Sequence, residues 1–191
     1  MSETNTKQKI FETMYQLIAK KGYDKTSTAQ IADIIGIKKS SIYYYFKSKE
    51  DIFLQIAIGL YKPDYYKRFT LLSNSISPES YKENLILAGE EYIDSYFENP
   101  ELRKVIAEID IQTTRIPALM EFVKKSDLNF TSYINKAMDC GVAIGAFPPS
   151  FNPQINAQIL YTTLIGIDQA ILYDLSVNPK QVWKEVVLKL F

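Results

Sequence analysis

At 191 residues, 47% of them hydrophobic, the chain can bury a substantial core as one domain or two small ones. It contains no histidine, which removes the commonest general base and transition-metal ligand, and its single cysteine, Cys140, excludes an internal disulfide. The 22 bases and 22 acids cancel, yet residues 1–49 hold nine lysines against four acids, so a segment of +5 precedes a remainder of −5 and one surface is suited to a polyanion.

No apolar run approaches the roughly 20 residues of a membrane span. The polar opening MSETNTKQK lacks an apolar signal segment, so a cytoplasmic protein without membrane contact is expected. The spacing of Ile10, Phe11, Met14, Leu17 and Ile18 predicts a first helix over 6–21. Lys20 and Lys21 suit the negative end of its dipole, and Gly22 terminates it.

Residues 27–49, STAQIADIIGIKKSSIYYYFKSK, read as two short helices and the start of a third. Ser27 with Gln30 is a capping-box pair, and Ile31, Ala32, Ile34 and Ile35 give an apolar face. Gly36 stands where a left-handed residue ends a helix, and Ile37 is expected to pack back into the core. Residues 38–45 then form a helix with a surface of Lys, Ser and Tyr. That order is a helix-turn-helix, whose second helix enters the major groove. An ordinary αα-hairpin has the same outline. Three features favour DNA: the lysines at 38, 39, 47 and 49, the short donors Ser40 and Ser41, and the consecutive Tyr43, Tyr44 and Tyr45. At about 100° per residue those three tyrosines cannot all face a core.

Gly22-Tyr23, Thr26-Ser27-Thr28, Ile31-Ala32, Gly36-Ile37, Ser41-Ile42-Tyr43-Tyr44-Tyr45-Phe46 and Lys47-Ser48-Lys49-Glu50 resemble the DNA-binding end of tetracycline-repressor (TetR/AcrR) family regulators, over roughly residues 6–55. The resemblance implies an all-α fold of about nine helices. Residues 1–48 are then a three-helix DNA-binding domain and 49–191 a ligand-binding and dimerisation domain. It also implies a regulator, most commonly a repressor, that binds a palindromic operator in double-stranded DNA as a homodimer. A small hydrophobic or aromatic effector would release it, with no cofactor, no metal and no catalysis. Lys38 stands where the family usually has a Ser or Thr cap, and Ser40 where Gly is frequent.

Carried over by position, Ser27 and Thr28 are expected to meet a phosphate. Lys38, Lys39, Ser40 and Ser41 are expected nearest bases and phosphates. Tyr43 and Tyr44 should reach the sugar-phosphate backbone or a thymine methyl, and Lys49 a phosphate. Ile42 is expected in the core; Tyr45 and Phe46 stay open between core and surface.

Ser48 with Asp51 is a second capping pair, so a fourth helix starts near Lys49, carries Ile52, Phe53, Ile56, Ala57 and Leu60, and meets Pro63. Residues 70–77 read as a loop. Ser77-Pro78, Asn99-Pro100, Asn152-Pro153 and Asn178-Pro179 each place a capping residue before proline. They divide the remainder into helices near 78–98, 100–113, 117–140, 153–175 and 179–190, with 141–150 as an irregular connection.

The segment 153–175 is apolar on most sides. Ile155, Ile159, Leu164, Ile167 and Ile171, with Trp183 and Val187 of the last helix, are therefore expected in a two-fold, four-helix dimer interface. Tyr92, Tyr96, Gln112, Arg115, Phe122, Tyr133 and Tyr161 are candidates to line an effector pocket, with ordinary core as the simpler account of most of them. An enzyme is not expected, because Glu90 with Glu91 and Glu108 with Asp110 diverge at their spacings. An adaptor of the same fold that no longer reads DNA is the other alternative, and the lysine-tyrosine surface speaks against it.

Overall fold

A computed structural model describes residues 3–61, 67–74 and 77–191. Among these there is no strand. The elements are α1 (Glu3–Lys21), α2 (Thr28–Ile35), α3 (Lys39–Tyr45), α4 (Lys49–Leu60), α5 (Lys67–Thr70), a 3-10 turn (Leu71–Asn74), α6 (Pro78–Phe97), α7 (Pro100–Thr113), α8 (Pro117–Ala143), α9 (Pro153–Leu172) and α10 (Pro179–Leu188). The protein is all-helical.

Capping chemistry sets several of these starts. Ser77 Oγ accepts from the Ser80 N–H (3.2 Å), Asn152 Oδ1 from that of Ile155 (3.0 Å) and Asn178 Oδ1 from that of Gln181 (3.1 Å). Each is followed by a proline in the first turn, where its missing N–H costs nothing. The loop expected over 70–77 is instead helical as far as Asn74. Phe69 and Leu72 are pulled into the core there, and a tight helical path lets both point inward. Residues 75–76, and the Pro63 expected to bend or end the fourth helix, lie outside the described residues. The connection expected from 141 starts later, because α8 runs on to Ala143.

The chain packs as two units. The first comprises residues 1–62 and 100–123, so α4, α7 and the start of α8 join the helix-turn-helix. This packing division differs from a functional one at residue 48. Its core gathers Ile10, Met14 and Ile18 of α1, Ile31 of α2, Ile42 of α3, Ile52 and Phe53 of α4, and Val105 and Ile109 of α7. The predicted face of α1 is thus the buried one, with Phe11 and Leu17 packed at its edge.

The second unit comprises residues 63–99 and 124–191. In it α10 packs on α6 and α9. Trp183 of α10 is fully buried and donates its indole N–H to the Ile86 carbonyl (3.0 Å). A Cβ at Gly89 would stand 2.0 Å from the Trp183 ring, so only glycine lets α6 approach it.

Candidate nucleic-acid interface and effector cluster

The helix-turn-helix is built from local rules. Ser27 Oγ accepts the Gln30 N–H (3.3 Å), and Gln30 Oε1 accepts the Ser27 N–H (3.0 Å) and the Lys21 ammonium (2.8 Å). Gly36 adopts φ 73° and ψ 37°, the left-handed region, and its N–H turns back on the Ala32 and Asp33 carbonyls. Ile37 then donates to the Ala32 carbonyl (3.0 Å), which closes the turn and aims the chain into α3. Ile34, expected on the apolar face of α2, is 61% exposed, because that short face is filled by Ile31 and Ala32.

One buried side chain, Ile42, anchors the seven-residue α3. Phe46 follows it into the core and meets Phe11 edge-on at 5.0 Å, while Tyr45 is half-buried. Everything else on α3 turns outward. Lys38, Lys39 and Ser40 are exposed, Ser41 is half-buried, and Tyr43 and Tyr44 are 49% and 73% exposed. No acidic residue occurs in α3, and Lys38 makes no side-chain cap at its start. The outward face therefore offers ammonium groups and hydroxyls with no carboxylate of its own helix to neutralise them.

Two of the expected phosphate contacts sit differently. Thr28 is buried, and its hydroxyl lies 3.4 Å from that of Tyr43, so the exposed tyrosine is the accessible member of the pair. Lys49 does open α4, but its ammonium turns inward. It donates to the Tyr23 and Thr26 carbonyls (2.9 and 3.0 Å) and lies 3.8 Å from the Tyr23 ring centre. Burial lowers the Lys49 pKa, against Asp24, Glu50 and Glu108, whose carboxylates favour the charged form. Three carboxylates around one ammonium make a poor phosphate site, which corrects the expectation for Lys49. The N-terminus of α4 is also occupied: Ser48 Oγ accepts the Asp51 N–H (3.1 Å), and Asp51 accepts that of Lys47 (2.9 Å).

The seven effector candidates divide between the two units. Gln112, Arg115 and Phe122 belong to the first. Gln112 donates to Glu108 (3.1 Å) and Asp24 (3.4 Å), Arg115 pairs with Asp24 (3.1 Å), and Phe122 meets Tyr61 edge-on. The polar groups of Gln112 and Arg115, and the ring of Phe122, hold the unit itself, so the three are withdrawn as pocket residues. Tyr92, Tyr96, Tyr133 and Tyr161 belong to the second. Tyr92 donates to Asp168 (2.6 Å) and stacks on Phe130 at 5.6 Å. Tyr161 meets Phe130 edge-on at 5.7 Å and donates to Asp127, whose pKa burial raises. Tyr96 is buried and Tyr133 half-buried.

The reading from sequence missed Phe130, Asp127 and Asp168. Asp127 and Phe130 are three apart on α8, and Tyr161 and Asp168 seven apart on α9, both spacings that share a helix face. That pattern was the available signal.

The expected dimer residues also separate. Ile155 and Ile159 are 50% and 46% exposed on α9, beside Gln158, Thr162 and Thr163, with which they line a shallow open groove. Leu164, Ile167, Ile171, Trp183 and Val187 turn into their own unit's core and have almost no surface to offer a partner. They are removed from the expected interface.

Comparison with known proteins fits this geometry. Residues 10–56 match the family model of the bacterial regulatory proteins of the tetR family. The uncharacterised HTH-type transcriptional regulator YhgD of Bacillus subtilis is 24% identical over 161 residues, covering 84% of this chain and 81% of that one. The negative transcriptional regulator IcaR of the Staphylococcus aureus biofilm operon icaADBC is 45% identical over 49 residues, about a quarter of either chain (26% each). The solved structure of the SmeT–triclosan complex superposes with a TM-score of 0.80 at 16% identity, over 97% of this chain and 91% of that one, which fixes the fold. Residues 10–56 thus carry the N-terminal segment of the bacterial tetR-family regulatory proteins, and the described chain shares the SmeT fold.

Proposed function

We propose that the protein is a homodimeric repressor that binds an operator of two inverted half-sites and lets go when a small hydrophobic or aromatic effector binds. The observation that carries this reading is α3: a short helix pinned by Ile42, with Lys38, Lys39, Ser40, Tyr43 and Tyr44 turned outward and no acid among them. Lys39, Ser40 and Ser41 read bases and phosphates. Tyr43, with Thr28 behind it, and Tyr44 brace the backbone. A residue boundary near 48 separates DNA reading from effector binding and dimerisation.

Repression is supported by IcaR, a negative regulator that shares this N-terminal segment. An effector is supported by SmeT, which shares the fold and was solved with triclosan. The aromatic group of Tyr92, Phe130 and Tyr161 is the proposed effector contact. A two-fold dimer is supported by Ile155 and Ile159, apolar and exposed on α9. Two α3 helices then address successive major grooves, about 34–36 Å apart. An effector that binds the wider or narrower state better shifts the population away from DNA, with no chemistry required. No helix among the described residues is long and apolar enough to cross a membrane, which suits a regulator acting at DNA in the cytoplasm.

The test is selection of duplexes from a random pool by the full chain. An inverted repeat with half-site centres about one helical turn or a multiple apart is expected. A pool with no enriched motif would contradict the reading.

A further inference from the structure

The turn between α1 and α2 is held from outside in a way that DNA contact does not require. It runs from Gly22 to Ser27, and Ser27 caps the helix that supports α3. Inside the turn, Thr26 donates its hydroxyl to the Gly22 carbonyl (2.9 Å), and Lys49 clamps the Tyr23 and Thr26 carbonyls. Outside it, the Asp24 carboxylate receives Gln112 on one oxygen (3.4 Å) and Arg115 on the other (3.1 Å). Gln112 lies in the last turn of α7, and Arg115 in the link between α7 and α8.

We propose that Asp24 is a positioning residue for DNA binding: the α7–α8 corner grips its carboxylate and so sets the angle at which α2 and α3 meet the duplex. This rests on the DNA-binding reading above. Gln112 is buried, fixed by its second bond to Glu108, and forms the rigid half of the grip. Asp24 and Arg115 are both more than half exposed, so their ion pair is weak and screened by salt. A grip of that strength orients the turn without being needed for the fold.

The sign of one substitution separates this from simple electrostatics. Asp24→Asn removes a negative charge from a DNA-binding unit, and on charge alone the affinity for DNA rises. Loss of a positioning contact predicts the opposite. Full-length Asp24→Asn and Arg115→Ala are each titrated into the duplex that the wild-type chain selects from a random pool. Each is expected to bind about fivefold more weakly, a coupling of ordinary size for a single contact. The double substitution is expected to be no weaker than the worse single one. Melting temperatures should stay at the wild-type value, because the core of the unit is untouched. Unchanged or tighter binding by Asp24→Asn overturns the proposal. If the wild-type chain selects no duplex, the DNA-binding reading itself fails, a distinguishable result.

Discussion

Replacing Ile159 with Asp tests the proposed association through one side chain. Ile159 is 46% exposed in the protomer, so a partner can still cover about half of it. Full burial of an isoleucine stabilises by roughly 1.5–3 kcal/mol, which leaves about 1 kcal/mol for the uncovered half. In a two-fold interface each residue counts twice, so removing the side chain costs about 2 kcal/mol per dimer. The carboxylates add at least as much again, since two charges lose water near the symmetry axis with no cation opposite. A total near 4 kcal/mol raises the dimer Kd about a thousandfold. Sedimentation velocity from nanomolar to micromolar protein reads this directly, because the protomer mass is 22.0 kDa. The wild type should sediment at twice that mass and Ile159→Asp at the protomer mass. Ile34→Asp is the control, an exposed isoleucine on α2 that lies in the other unit. Equal dimer constants for wild type and Ile159→Asp would refute the reasoning, as would a wild type that stays monomeric at micromolar concentration.

Three further outcomes are expected. Gly166→Ala meets no atom within 4 Å in the protomer and gains about 1 kcal/mol of helix propensity. In the Ile159→Asp background it should raise the melting temperature, while in the wild-type background it should weaken association if a partner helix lies close; unaltered association would place Gly166 outside the interface. Lys49→Met keeps an unbranched stem, one atom shorter, but leaves the Tyr23 and Thr26 carbonyls without their donor and removes the cation from the Tyr23 ring. About 2 kcal/mol should be lost, a fall of roughly 8–16 °C in the first unit's melting temperature by calorimetry. A melting temperature unchanged while DNA affinity drops would return Lys49 to the phosphate contacts. Asp127 has its pKa raised by burial, so its charged form costs stability above the folded pKa. That cost fades as the pH drops through the folded value towards the ordinary 3.8. Asp127→Asn should therefore melt higher than wild type near pH 7, with a gap that shrinks as pH is lowered towards about 4; a gap that widens would refute the assignment.

The parts of this fold that were legible in the sequence are those set by chemistry within one turn of a helix. Ser27 with Gln30, Gly36, and the pairs Ser77-Pro78, Asn152-Pro153 and Asn178-Pro179 act through neighbours three or four residues away, so reading along the chain locates them. The outward face of α3 was legible for the same reason: three consecutive tyrosines cannot share one side of a helix. What failed was whatever depends on a partner far along the chain. Lys49 looks like a free cation until the carbonyls of Tyr23 and Thr26 fold onto it from 26 and 23 residues away. Arg115 and Gln112 look like ligand-orienting groups until Asp24 arrives from 91 and 88 residues away. The α9 helix is apolar on most sides for two reasons that composition cannot separate: Leu164 and Ile167 are buried in their own unit, where α9 packs on α6 and α10, whereas Ile155 and Ile159 are exposed. Leu72 was hidden by polar neighbours that suggested a loop.

The central claim is that the lysine-bearing outer face of α3 grips DNA phosphates, and the salt dependence of binding measures this most directly. Fluorescence anisotropy of a labelled selected duplex, titrated with the full chain at several salt concentrations, gives the slope of log affinity against log salt. Each phosphate neutralised contributes about 0.9 to that slope. Lys39→Ala in both protomers of a dimer should therefore reduce the slope by about 1.8 if each lysine meets one phosphate. The wild-type advantage should shrink about tenfold between 50 and 200 mM salt. A wild-type affinity indifferent to salt, or a slope that Lys39→Ala leaves unaltered, would contradict the account.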